Sequence, residues 1–294
     1  MEPELDALNR QAIAEARRHM GEFAWPTVLL TAAVVSAFLA TLALFSAGLL
    51  PLWLALPVYA ALTYMSYTPL HEAAHGNIHG RHESLKWVND LCGYLVAPII
   101  MVPYGSHTAE HFAHHRYTNR PEKDPDHVIK GMGDGPWAFI VTGFRFLWVQ
   151  NTFLFRDPRA SVADRARHVG ELAFSLGWRV AVLLLVDQPG IGWLLLLGYE
   201  GGALFTAYWF AYRPHLPYAD PARYRNTNSL IMPRWMRPLE WFWLGQNIHS
   251  VHHLFPRVPF YRYHALHREI EPIMRAHGTP MIGLFSRQPV AATR

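Results

Sequence analysis

The sequence predicts an all-α integral membrane protein with four transmembrane helices in two hairpins and a histidine-rich helical cap on the cytoplasmic side. Three observations carry that expectation. Residues 23–70 contain no Asp, Glu, Lys, Arg or His. A second apolar pair runs from about residue 172 to 186 and from 191 to 212. The histidine clusters lie outside both pairs. Composition agrees: charged residues are 16% of the chain, against roughly a quarter in an average soluble domain. Hydrophobic residues reach 51% and aromatic residues 14%, including 11 Trp.

In chain order, residues 1–22 are polar and charged and are expected to form an amphipathic N-terminal segment. An apolar helix needs about 20 residues to cross a bilayer, so residues 23–70 hold two crossings, broken at Ser46-Ala47-Gly48 with Pro51 beyond. The stretch is too long and begins too late to read as a signal peptide. Residues 71–170 form a polar segment with two largely apolar pieces, 87–104 and 136–155, each readable as a re-entrant or an interfacial helix. The second hairpin, 171–212, turns at Asp187-Gln188-Pro189-Gly190. Residues 213–294 complete the cap. The 294 residues read as one domain, with no internal repeat.

Arg179 and Glu200 interrupt the last two spans. Each lies roughly eight to ten residues from the turn, so at ~1.5 Å per residue they reach similar depth. An intramembrane ion pair is the expectation, because charges at such depth usually pair. The turns at 46–51 and 187–190 carry no Lys or Arg. Arg10, Arg17 and Arg18, the central segment, and Arg213, Arg223 and Arg225 carry the positive charge. The positive-inside rule therefore puts both termini and every histidine cluster on the cytoplasmic side of a multi-pass protein of the inner membrane.

The net charge of +4 is mild and forms no nucleic-acid stripe, and the single Cys92 excludes an internal disulfide and a zinc site of several thiolates. The 18 histidines are the unusual number. Three clusters matter: His71-Glu72-Ala73-Ala74-His75, His111-Phe112-Ala113-His114-His115 and His249-Ser250-Val251-His252-His253. On a helix, positions i, i+3 and i+4 share a face, so each cluster presents its imidazoles to one point. Eight histidines exceed what a four-coordinate zinc uses. They suit two metal ions with open positions, and imidazole is a good ligand for iron.

The order and spacing of these clusters resemble the membrane fatty acid desaturase superfamily, which includes carotenoid hydroxylases and ketolases. The resemblance runs from the first hairpin to about Pro272. It implies a four-span enzyme with two histidine-bound irons, and His71, His75, His111, His114, His115, His249, His252 and His253 as their ligands. It also implies O2 as co-substrate, a lipid substrate and no catalytic group beyond the metal centre. His215, just after the fourth span, stands where a ninth ligand is expected. His107, four residues before His111, is expected to support a ligand by hydrogen bonding. For His79, His82, His127, His264 and His267 surface or supporting positions are expected. The aromatic run Tyr208, Trp209 and Phe210 reads as an interface anchor, with a channel lining as the alternative.

Residues 245–263 (GQNIHSVHHLFPRVPFYRY) and 220–227 (DPARYRNT) are similar to the beta-carotene hydroxylase branch, and Asp124-Pro125-Asp126 to carotenoid ketolases. That resemblance implies carotenoid ring hydroxylation, with fatty acyl desaturation as the alternative. Either reaction needs electrons from a separate donor such as a ferredoxin, since the chain carries no Cys set for an iron–sulfur cluster. Two other readings stand beside these. His71-Glu72-x-x-His75 matches the zinc protease motif, with Glu72 as general base, but leaves two clusters unused. In the desaturase reading Glu72 is a supporting or solvent-facing group. A metal transporter would place its ligands within the spans, near the midplane.

Overall fold

A computed structural model describes residues 2–285. Met1 and residues 286–294, the two ends of the expected domain, lie outside the described residues. The amphipathic segment is helix α1 (Glu2–Arg18), whose Ala12 and Ala16 are fully buried. Helix α2 (Trp25–Ser46) starts with Pro26 in its first turn, where a missing N–H costs nothing. After the turn at 47–51, helix α3 (Leu52–Ala74) returns. Its second half, from Leu62 onward, is almost wholly buried, so Thr63, Ser66, Thr68, His71 and Glu72 are shielded from lipid by protein.

Helix α4 (Lys86–Ile100) ends at Met101, a non-glycine residue in the left-handed region (φ 56°). The chain then bends by 93° into helix α5 (Tyr104–Tyr117). A 3-10 segment, Pro125–Asp134, leads to helix α6 (Pro136–Arg156). Helix α7 (Val162–Leu185) opens with a capping box in which Ser161 and Asp164 each accept the other's backbone N–H. Residues 191–215 form one helical run. It comprises α8 (Ile191–Trp193), a π turn (Leu194–Gly198), α9 (Tyr199–Thr206), a second π turn (Ala207–Tyr212) and a 3-10 turn (Arg213–His215).

The cap closes with two short helices, α10 (His249–Leu254) and α11 (Tyr263–Ala276), and α1 packs on α11. The departure from an all-α chain is one parallel pair, β1 (Ser229–Ile231) beside β2 (Met281–Gly283), in register Ser229↔Met281.

Three helices are long and apolar enough to cross a membrane: α2, α6 and α7; a fourth span is counted if bent α4–α5 is one. This set differs from the expected one. Helix α3 falls short because its buried half carries polar side chains, and the run at 191–212 is divided by π turns. Conversely, residues 136–155 form one long helix. Large apolar side chains such as Trp53, Leu184 and Leu185 point outward, the surface of a membrane protein.

Arg179 corrects another expectation, since it forms no ion pair with Glu200. Its guanidinium donates to the carbonyls of Pro98 and Ile99, at 2.8 Å each, and to that of Ser175. It also lies 4.3 Å from the Trp178 ring centroid. The interrupted end of α4 leaves carbonyls with no helical partner, and a cation meets both that need and the helix dipole. Glu200 instead lines an apolar cavity.

The 191–215 run can approach α3 only because its contact face lacks side chains. A Cβ at Gly202 would stand 2.5 Å from the Ala60 carbonyl oxygen and 2.6 Å from Thr63 Cβ, whereas one at Gly201 meets only Ala60 Cβ at 3.5 Å. Close helix approach through small residues is the usual solution in membranes. Gly202→Val is therefore expected to lower stability by about 1–3 kcal/mol or to prevent folding. Gly201→Val should be tolerated. Thermal denaturation of the two variants in detergent checks the contrast.

Candidate metal centre

Three elements bring the histidines together. His71 lies in the last turn of α3 and His75 caps it. His107, His111, His114 and His115 lie on α5. His249, His252 and His253 share one face of α10. The turn into α10 depends on Gly245 (φ +77°), where a Cβ would stand 2.7 Å from the Phe260 carbonyl oxygen. A side chain there would push the third cluster away from the other two.

One donor atom from each of His71, His75, His111, His115 and His252 lies within 4.8 Å of all the others, and His114, His215 and His253 form a second such group. The groups adjoin, with the His115 and His253 rings stacked 4.3 Å apart. His249 falls in neither set; its ring lies 4.8 Å from His253, 5.2 Å from His215 and 5.1 Å from His252. His107 stacks on His111 at 5.2 Å, with its Nδ1 3.7 Å from Glu110 and no hydrogen bond to either nitrogen. Of the remaining histidines, His79 and His267 are buried, while His82 is exposed.

The first group cannot be a hydrogen-bond network. Nε2 of His252 lies 3.0 Å from Nε2 of His71 and 2.8 Å from Nε2 of His115, which is itself 3.0 Å from Nε2 of His111. A neutral ring nitrogen carries either one proton or one lone pair. Two of these four atoms each stand in two contacts, and neither can satisfy both. Neighbouring donors bonded at about 2.1 Å to one ion are roughly 3.0–3.4 Å apart, which is close to what is observed. Nε2 of His75 and of His253 and Nδ1 of His215 are buried with no partner. The residues therefore fit bound metal.

Partners on the far sides of the rings fix their orientation. Tyr263 shares a hydrogen bond with His252 Nδ1 at 2.9 Å, leaving Nε2 for the cluster. Asp124 accepts from His114 Nδ1 at 2.8 Å, with Asp126 at 3.6 Å. Sequence reading quoted Asp124, Asp126 and Tyr263 without finding a role for them, because their contacts are made across the fold. Glu110, buried 3.7 Å from His107, was missed, although its i, i+3 spacing from His107 was visible. Glu72 is buried and accepts from Asn77 and from the Phe260 N–H, at 3.2 Å each. It braces the third-cluster loop and is not the free general base a zinc protease needs.

Burial lowers the basicity of His111, His115, His252, His253 and His215, aided by the neighbouring imidazoles, and takes His249 down to about 3. These rings are neutral and ready to ligate. At His114 burial also acts downward, but Asp124 and Asp126 outweigh it and raise the pKa to about 9. Glu110 is pushed up by burial to about 7.

An apolar cavity lies beside the cluster, with Tyr67 and Phe210 between the two. Its volume is about 30 Å³, and it is lined by Tyr67, Ile100, Phe146, Leu204 and Phe210 among others, with Gln150 and Glu200 as polar members. Phe210 lies 5.1 Å from His71 and Tyr67 5.9 Å from it. Of the aromatic run, Phe210 thus lines the cavity, while Trp209 packs edge-on against Trp243.

A family model for fatty acid desaturase matches residues 47–285. The chain is 27% identical over 276 residues to the chloroplastic omega-6 fatty acid desaturase of Arabidopsis thaliana, covering 82% of this chain and 59% of that one. It is 24% identical over 256 residues to the sn-1 acyl-lipid omega-3 desaturase (ferredoxin) of Nostoc sp. (strain 36), covering 78% and 70%. It is 25% identical over 253 residues to the Delta(12) acyl-lipid conjugase (11E,13E-forming) of Momordica charantia, covering 71% and 62%. The chain spans about three fifths of the length of the chloroplast relatives it matches.

The protonation pattern gives a pH prediction. With a pKa of about 9, His114 is protonated in the metal-free protein at neutral pH, so a metal must displace its Nε2 proton while Nδ1–H stays on Asp124. Affinity of the His114–His215–His253 group should rise by about tenfold per pH unit from 7 to 9, while that of the first group stays flat. Asp124→Asn should weaken metal binding at the second group by roughly 10–100-fold. Competition titrations with a chelator at several pH values check both.

Proposed function

The chain belongs to the fatty acid desaturase family, and from that premise we propose that it oxidises unactivated C–H bonds of a membrane lipid at a two-iron centre. The observation that carries this reading is the pair of adjoining imidazole groups beside an apolar cavity. His71, His75, His111, His115 and His252 hold one iron; His114, His215 and His253, with His249 alongside, hold the other. Iron so bound, with O2 as co-substrate and electrons from an external donor, supplies an oxidising power that acid–base side chains lack.

The chain's own residues do the rest. Asp124 fixes the tautomer of His114 and Tyr263 the orientation of the His252 ring, keeping the donor nitrogens aimed inward. Tyr67 and Phe210 form the wall between cavity and imidazoles, so a lipid chain entering by the cavity's open side would approach the cluster past these two rings. The apolar lining keeps bulk water from the reacting carbon. In this reading α2 with α3 and α7 with the run at 191–212 are the two hairpins that cross the membrane, α6 lies at the interface, and both termini and the histidine clusters face the cytoplasmic side of the inner membrane. This agrees with the absence of Lys and Arg from the two opposite turns.

The activities for which the relatives are named, acyl-lipid desaturation and conjugation, favour an acyl chain as substrate. We therefore place fatty acyl desaturation first. Carotenoid ring hydroxylation is the second reading, supported by the likeness of residues 245–263 and 220–227 to that branch. Expression in cells that accumulate beta-carotene, followed by mass spectrometry of fatty acids and pigments, separates the two. New acyl double bonds, absent in a His252→Ala control, are expected. Oxygenated carotenoids with unchanged acyl chains would move the function to the second reading, and no change in either pool counts against both.

A further inference from the structure

One residue on α5 breaks the pattern of its helix. Phe112 sits between His111 and His114, yet its side chain points outward and is 50% exposed. The inner edge of its ring packs against His75, with centroids 5.6 Å apart and planes at 73°. His75 in turn lies 4.9–5.0 Å from His71, His115 and His252. Of the five donors in that group, only His115 is not fully buried, and it lies three residues from Phe112 on the same helix. Phe112 therefore gives the first imidazole group an aromatic contact that reaches the surface.

The surroundings of Phe112 mix charged and apolar side chains. Phe112, Ala109, Ala113 and Arg116 line an open groove of about 410 Å³ between α5 and the link from α6 to α7. The far wall carries Asp157, Arg159 and Asp164. Asp157 is held by Arg159 at 2.8 Å, and Asp164 is spent in the capping box with Ser161. Past Phe112, α5 and the following turn expose Arg116, Arg120 and Lys123 against one exposed carboxylate, Glu122. Among the described residues, Arg116 and Arg120 make no ion pair. On the opposite flank Arg257 is exposed and donates to the Gly80 carbonyl, beside the turn that follows His75.

We propose that the strip Phe112–Arg116, with Arg120, Lys123 and Arg257 around it, is the docking site of a small acidic one-electron carrier protein, and that Phe112 is its electron entry point. The proposal rests on the two-iron reading above. A carrier of iron–sulfur type fits, because negative charge around its cluster complements this basic rim, and such encounters need only small, transient interfaces. In each docking the carrier's cluster is oxidised by one electron and one ferric iron of the centre is reduced to ferrous. No bond forms or breaks and no proton moves in that step. Electron transfer falls steeply with distance, so a ring in contact with both partner and His75 shortens the gap where it matters.

The test uses the full chain in nanodiscs, loaded with iron, and a plant-type two-iron ferredoxin as the probe. Binding is measured by calorimetry at two salt concentrations, and reduction of the bound iron by stopped flow, with dithionite in place of ferredoxin as the control. Arg116→Glu is expected to weaken ferredoxin binding about tenfold at low salt and to flatten its salt dependence. Phe112→Ala is expected to slow reduction by saturating ferredoxin about tenfold, with Phe112→Trp restoring it; each rate is taken per iron that dithionite reduces in the same variant. Reduction of both variants by ferredoxin at the wild-type rate would overturn the docking site and leave the two-iron reading intact. So would a wild-type centre that dithionite reduces and ferredoxin neither binds nor reduces. A chain that retains no reducible iron would overturn the two-iron reading, and the docking site with it.

Discussion

Four imidazole nitrogens in a chain, each within hydrogen-bonding distance of the next, with no arrangement of protons that satisfies them all, set the constraint on which the rest of the structure depends. Buried polar atoms without partners cost free energy, and the fold concentrates that cost at one place. Every neighbouring element serves to keep the rings there. The buried half of α3 presents His71 and His75 without exposing polar groups to lipid, the bend after α4 redirects α5 across the end of α3, and Gly245 lets the third cluster close over both. The partners of the outer nitrogens, Tyr263 and Asp124, come from segments far apart in sequence. A bound cation resolves the conflict that the protein alone cannot.

The same logic explains the charges that sequence reading paired wrongly. Arg179 and Glu200 lie at similar depth, and a pair between them is the simplest way to bury both. The structure offers Arg179 something closer: the carbonyls left free where α4 ends and the backbone turns left-handed at Met101. A chain broken inside or beside a membrane must satisfy its own backbone groups, and an arginine with five donors can cap several at once. Glu200 is then free to face the cavity. Which of two polar demands wins is decided by where α4 stops, and Pro98 alone does not announce that stop.

Much of the site was legible because ligand spacing is local. An i, i+3, i+4 pattern on a helix fixes a shared face, and so the three clusters could be named from their spacing, whereas His215 was named from the family resemblance alone. What could not be read was the division of labour. His114 joins His215 and His253 in one group, while its neighbour His115 turns to the other, because the two rings leave α5 about 100° apart. His249 heads its cluster, yet its donor atom stands outside both groups. The roles of Asp124, Tyr263 and Glu72 depend on contacts between distant segments. The spans were legible in part. The π turns that divide the run at 191–212 and the parallel pair β1–β2 have no periodic signature.

The central claim is that two irons, not one zinc, occupy the paired imidazole groups. The most direct measurement is metal analysis of the protein purified in detergent and reconstituted anaerobically with ferrous iron, with total metal per chain determined by mass spectrometry. The account predicts two irons per chain, one of them lost when His253 is replaced by alanine and His71 is left in place. One tightly held zinc per chain that iron cannot displace, and that survives the His253→Ala change, would contradict it.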